Sequence, residues 1–162
     1  MGCAARRMID PDYLLWQPHE ALTHREPGAP NQTFLRRAVS NFYYALFHEL
    51  CRDIANQHIG FAHRKQPRYT LLYRALEHGR ARQAFEKVSK DAVASIEART
   101  IASAFLVLQQ ARHTADYDPS ERFYVSDVLS LFLEAEAAIG TLRAGFVDKD
   151  EILTRLLFKE KP

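Results

Sequence analysis

The stretch Arg36 to Leu50, RRAVSNFYYALFHEL, decides the fold. Leu35, Val39, Phe42, Leu46, Leu50 and Ile54 recur at helical spacing and form one apolar stripe. Ala38, Ala45 and Phe47 widen the stripe until most of the circumference is apolar. Such a helix is predicted to be central, with neighbours on several sides. A polar line still runs along it: Arg37, Asn41, Tyr44 and His48 stand at i, i+4, i+7 and i+11 and share one face. That face either meets solvent or lines a site.

Working outward, turn and cap chemistry sets the neighbouring elements. Asn31 or Thr33 is expected to cap this long helix and Gly60 to end it. Before it, Glu26-Pro27-Gly28-Ala29-Pro30 reads as a loop. A short first helix is expected over about 19–24, with Tyr13, Leu14 and Trp16 packing on the core. Residues 61–69 read as a basic loop, 71–76 as a short helix stopped by Gly79, and 80–95 as ambiguous. A long helix is expected from about Ala94 to His113. Asp118-Pro119-Ser120-Glu121 carries the cap, proline and capping-box glutamate of a helix start. That helix should run to about Arg143, with Gly145 as its stop and Asp148 capping a last helix.

The fold class that results is all-α: one helical domain over 1–162, with four core helices and short extra helices packed outside. Residues 1–10 read as flexible. The chain of 162 residues is long enough to bury a sizeable core, and its composition is that of a soluble globular protein. Without a membrane-length apolar run or an apolar leader behind Arg6 and Arg7, a cytoplasmic location is expected. Met1-Gly2 lacks the Ser or Thr that a myristoylation start requires further on, since Arg6 occupies that position. Cys51 falls in the apolar helix and reads as an inert buried thiol.

Net charge is +2, unevenly distributed. Residues 1–59 hold 6 basic and 6 acidic side chains, 60–90 hold 8 and 2, and 91–162 hold 8 and 12. The 60–93 crossover, with Arg64, Lys65 and Arg68, is therefore either a polyanion-binding surface or a solvated connector.

Arg112 and Asp116 are spaced to pair on one helix face. No glycine-rich phosphate loop, His-Glu-x-x-His or paired-cysteine motif is present, so no cofactor and no metal is expected. A three-histidine metal site drawn from His19, His48, His63 and His113 is conceivable, but no spacing requires it.

FYYALFH at 42–48 followed by ARHTADYD at 111–118 resembles the HEPN superfamily, in particular small bacterial and archaeal proteins with YYA-x-F-H and R-x-x-ADY motifs. The resemblance covers roughly residues 31–143. It implies an up-and-down helical bundle, commonly a homodimer. It also implies either a metal-independent RNA endonuclease, acting as a toxin or in defence, or a non-catalytic module associated with nucleic acid or a nucleotidyltransferase-type antitoxin partner. The nuclease signature is Arg, four to six residues, then His. Arg112 matches, but Tyr117, Asp118 and Pro119 occupy the histidine positions. Relatives often carry Arg where Asn41 stands.

Two functional readings follow. In one, Arg112 holds the scissile phosphate and His48 or His113 supplies acid–base chemistry. In the other, Arg112, Asp116, Tyr117, Tyr44, Asn41 and Arg37, with Arg64, Lys65 and Arg68, bind RNA, a nucleotide or a protein partner without cleavage. The missing histidine favours the second.

Overall fold

The computed structural model describes residues 8–23 and 31–158. Among them are seven α-helices: α1 Pro11–Thr23, α2 Gln32–Ile59, α3 Pro67–Tyr73, α4 His78–Val88, α5 Ile96–Tyr117, α6 Val125–Ala144 and α7 Lys149–Leu157. A 3₁₀ turn at Phe61–His63 follows α2. Among the described residues, no helix is long and apolar enough to cross a membrane.

The chain forms an all-helical bundle around α2. Side-chain pairings give its direction: α2 meets α5 with Ser40 against Asp116 and Tyr43 against Gln109, so these helices are antiparallel. Gln32 meets Phe123 and Glu49 meets Arg143, so α6 runs parallel to α2. Asp12 meets Arg143 while Trp16 packs on Phe132, so α1 opposes α6. The four core helices α1, α2, α5 and α6 therefore alternate up and down. The predicted stripe of α2 is the core itself: Val39, Phe42, Leu46 and Ile54 are fully buried. The short helices α3 and α4 pack on α2 and α5, and α7 closes over α4 and α2.

The caps of α2 are those expected. Asn31 accepts the Phe34 N–H at 2.9 Å, and Gly60 ends the helix at φ 92°. Gly145 ends α6 at φ 82°. Five features differ from expectation. The first helix starts at Pro11, because Asp10 accepts the Asp12 N–H and proline suits the first helical position. Pro67 likewise opens α3 inside the expected basic loop, and Gly79 lies in the first turn of α4 instead of stopping a helix. Asp148 does not cap α7 with its side chain; it accepts the Ser95 N–H at the start of α5.

The fifth difference matters most. No helix begins at Asp118-Pro119. Helix α5 continues to Tyr117, residues 118–124 form a loop, and α6 starts at Val125 with Asp127 accepting the Tyr124 N–H. Asp118 is spent on an Asx turn to Ser120, whose N–H it accepts at 2.9 Å. Two side chains of α2 hold the loop open. Arg36 donates to the carbonyls of Ala115 and Asp118 at 2.9 and 2.8 Å and also reaches the Glu121 carbonyl. The Gln32 amide pairs with both N–H and C=O of Phe123.

Arg36 thus satisfies carbonyls that a helix C-terminus leaves unpaired. Replacing it with alanine should cost about 1–2 kcal/mol. The loss should appear in chemical denaturation, with faster amide exchange confined to residues 115–123.

Candidate functional site

The two sequence motifs meet across the α2–α5 interface as a polar ladder. On α5, Gln109, Arg112 and Asp116 fall at i, i+3 and i+7 and face α2. Ser40 donates to Asp116 at 2.7 Å, and the Arg112 Nη2 donates to the Tyr44 hydroxyl at 3.0 Å. Arg112 Nε lies 2.6 Å from Asp116 Oδ2. The expected Arg112–Asp116 pair is therefore present and is tied to α2 at both ends. The Arg112 guanidinium also lies near the Tyr44 and Tyr117 rings, at 5.5 and 5.8 Å.

An open groove of about 460 Å³ runs beside this ladder, lined by Thr33, Arg36, Arg37, Ser40, Asn41, Tyr44, Ala115 and Asp116. The polar line read from α2 divides here: Arg37, Asn41 and Tyr44 border the groove, while His48 lies farther along. Arg112 sits behind Tyr44 and Asp116, its side chain 23% exposed. Past Asp116 the groove passes into a second hollow against the 118–122 loop, where Tyr117 is exposed.

Behind Tyr44 lies a cluster of aromatic rings and imidazoles. The Tyr73 hydroxyl is 2.9 Å from His48 Nδ1, and the two rings stack. His78 stacks on Phe47 at 3.9 Å, and its Nδ1 is 2.6 Å from the Tyr43 hydroxyl. The Tyr44 ring lies 6.2 Å from His48 and 6.1 Å from His78. Of the tandem tyrosines, Tyr43 is the fully buried one. Burial pushes its hydroxyl pKa up to about 12, so it stays protonated.

His78 was not among the residues singled out in the sequence. It arrives at the start of α4 from the crossover, and no local pattern marks it. The crossover's own cations lie elsewhere. Tyr69 of α3 bonds to Asn56 near the far end of α2, and Arg64 stacks on Phe61 at 3.7 Å and borders a hollow with Arg52. Arg52 is two turns of α2, roughly 12 Å, beyond Tyr44. Lys65 and Arg68 are exposed on the same segment. The structure therefore does not bring Arg64, Lys65 and Arg68 to Arg112.

Among the described residues, the other candidate histidines are dispersed. His113 is exposed, with its ring 5.0 Å from Tyr117. His19 stacks on Phe132, and His63 meets Gln66. His19, His48, His63 and His113 do not converge, and no cluster of three metal-binding side chains occurs among the described residues. Cys51 is buried, and burial raises its thiol to about 12.

Among the described residues, no hydrogen bond joins Arg112 to a histidine. Burial, reinforced by His78, lowers the His48 pKa below its ordinary value; burial and the Arg112 charge do the same to His78. Both imidazoles are therefore neutral near pH 7. The sign for stability follows. Between the lowered native values and about 6.5, the unfolded chain binds more protons, so stability declines as pH falls below about 6.5. Histidine NMR titration should place both midpoints below 6.5. Urea unfolding should weaken from pH 7.5 to 5.5, and less so in His48→Gln.

No protein-family description, no curated protein and no solved structure matches this chain.

Proposed function

We propose that the chain is a HEPN-type module that binds single-stranded RNA or a nucleotide through the Arg112 groove and does not cut it. The observation that carries this reading is the state of Arg112. Its guanidinium is set beside an open groove by Tyr44 and Asp116, with no histidine bonded to it among the described residues. A guanidinium edge is suited to a phosphate, and Arg37 adds an exposed cation to the groove wall. Exposed Tyr117 offers a face on which a base can stack.

Cleavage through the 2′-hydroxyl needs a base and an acid at the scissile phosphate. Tyr117 stands in the expected histidine position, and no histidine among the described residues supplies a base on Arg112. The opposing reading, a metal-independent endoribonuclease, draws support from one feature: His48 and His78 both flank Tyr44. The proposed setting is cytoplasmic, as a homodimer in a toxin–antitoxin or defence system, with a nucleotidyltransferase-type partner.

The test is fluorescence anisotropy with a labelled single-stranded oligoribonucleotide at about 50 and 200 mM salt. Binding that weakens as salt rises supports the reading. Absent or salt-insensitive binding overturns it.

A further inference from the structure

The hydrogen-bond pattern around His78 fixes its tautomer. Gln109 Nε2 donates to the His78 carbonyl at 3.1 Å, which sets the orientation of the amide. The same Nε2 donates to the Tyr43 oxygen at 3.3 Å. Tyr43 is fully buried, and the remaining acceptor beside its hydroxyl among the described residues is His78 Nδ1, at 2.6 Å. The hydroxyl therefore donates to Nδ1, and the imidazole proton resides on Nε2. Stacking on Phe47 holds the ring in place, while the residue as a whole is exposed. The result is a neutral imidazole that offers Nε2–H as a donor and has no free lone pair with which to take a proton.

We propose that His78 is a ligand-contacting residue of the Arg112 groove, its Nε2–H donating to a phosphodiester oxygen of a bound single-stranded RNA. His78 and Arg112 both lie near the Tyr44 ring, 6.1 and 5.5 Å from its centre, so one strand crossing that ring meets both donors. Tyr43 and Gln109 are positioning residues: they hold the tautomer that can donate to phosphate and cannot act as a base. The same geometry explains how an imidazole can stand beside Tyr44 without making the groove a nuclease site. This inference rests on the RNA-binding reading and adds to it a residue from outside both sequence motifs.

The test joins imidazole ¹⁵N NMR with RNA affinity. In the free protein, His78 should carry its proton on Nε2, and the Nε2 signal should shift as a short oligoribonucleotide saturates the protein. His78→Ala should weaken RNA binding about tenfold or more, the worth of one hydrogen bond to a charged oxygen. Tyr43→Phe should weaken it less and release the tautomer. RNA binding that depends on Arg112 but leaves the His78 signal and the His78→Ala affinity unchanged overturns the inference and leaves the groove reading standing. A protonated Nδ1 in the free protein also overturns it. No RNA binding by the wild type overturns both.

Discussion

Glu49→Ala is expected to destabilise the protein by about 2–3 kcal/mol, a loss of roughly 4–12 °C in Tm for a chain of this size. Glu49 is the one charged residue fully buried among the described residues. Its carboxylate accepts from Arg143 at 3.1 and 3.0 Å and from Arg52 one turn away, and Arg143 also pairs with Asp12 at 2.9 Å. The network joins α1, α2 and α6 at one end of the bundle. Removing one member of a buried pair typically costs about 3–5 kcal/mol, because the surviving charge stays desolvated. Here Arg52 and Arg143 retain side-chain exposures of 25% and 37%, so both can rehydrate and the cost is lower. Glu49→Gln keeps the shape and part of the hydrogen bonding, and should fall between the two. An unchanged urea midpoint in Glu49→Ala would show that the network adds nothing net.

Arg112→Ala is expected to reduce RNA affinity at least tenfold, with the fold intact. A charge-assisted hydrogen bond to phosphate contributes about 1.5–3 kcal/mol, and about 1.4 kcal/mol is a factor of ten. The slope of log affinity against log salt should also flatten by about one, the signature of one lost phosphate contact. Stability should change little, since the Arg112–Asp116 pair is 23% and 31% exposed and such pairs contribute about 1 kcal/mol or less. Asp116→Asn gives the opposite sign. Asp116 competes with phosphate for the guanidinium, so its neutralisation should tighten binding a few-fold. Parallel losses in both variants would mean that the pair acts only as a structural tie between α2 and α5.

These expectations depend unequally on what the sequence displays. The central position of α2 was legible because its apolar stripe continues for five turns and its caps are local chemistry: Asn31 before it, Gly60 after it. The meeting of Tyr44 with Arg112 was legible through the pairing of two motifs. The loop at 118–124 was not, because Asp118-Pro119 carries every local signal of a helix start. What overrides those signals comes from Arg36 and Gln32 on another helix. Glu49 had a cue that went unread: a carboxylate on the apolar side of a core helix requires buried partners. For His78 there was no cue, since its place beside Tyr43 is set by how α3 packs on α2 and α4 on α5. The start of α1 is local chemistry too, a cap at Asp10 and a proline at the first helical position.

The most direct test of the central claim is to incubate the wild-type protein with a labelled single-stranded RNA pool, with and without EDTA, and measure binding and RNA integrity in the same samples. The expected result is salt-sensitive binding that requires Arg112, with the RNA intact at every time point. Cleavage in EDTA that disappears in Arg112→Ala would contradict it and establish a metal-independent nuclease at the same groove.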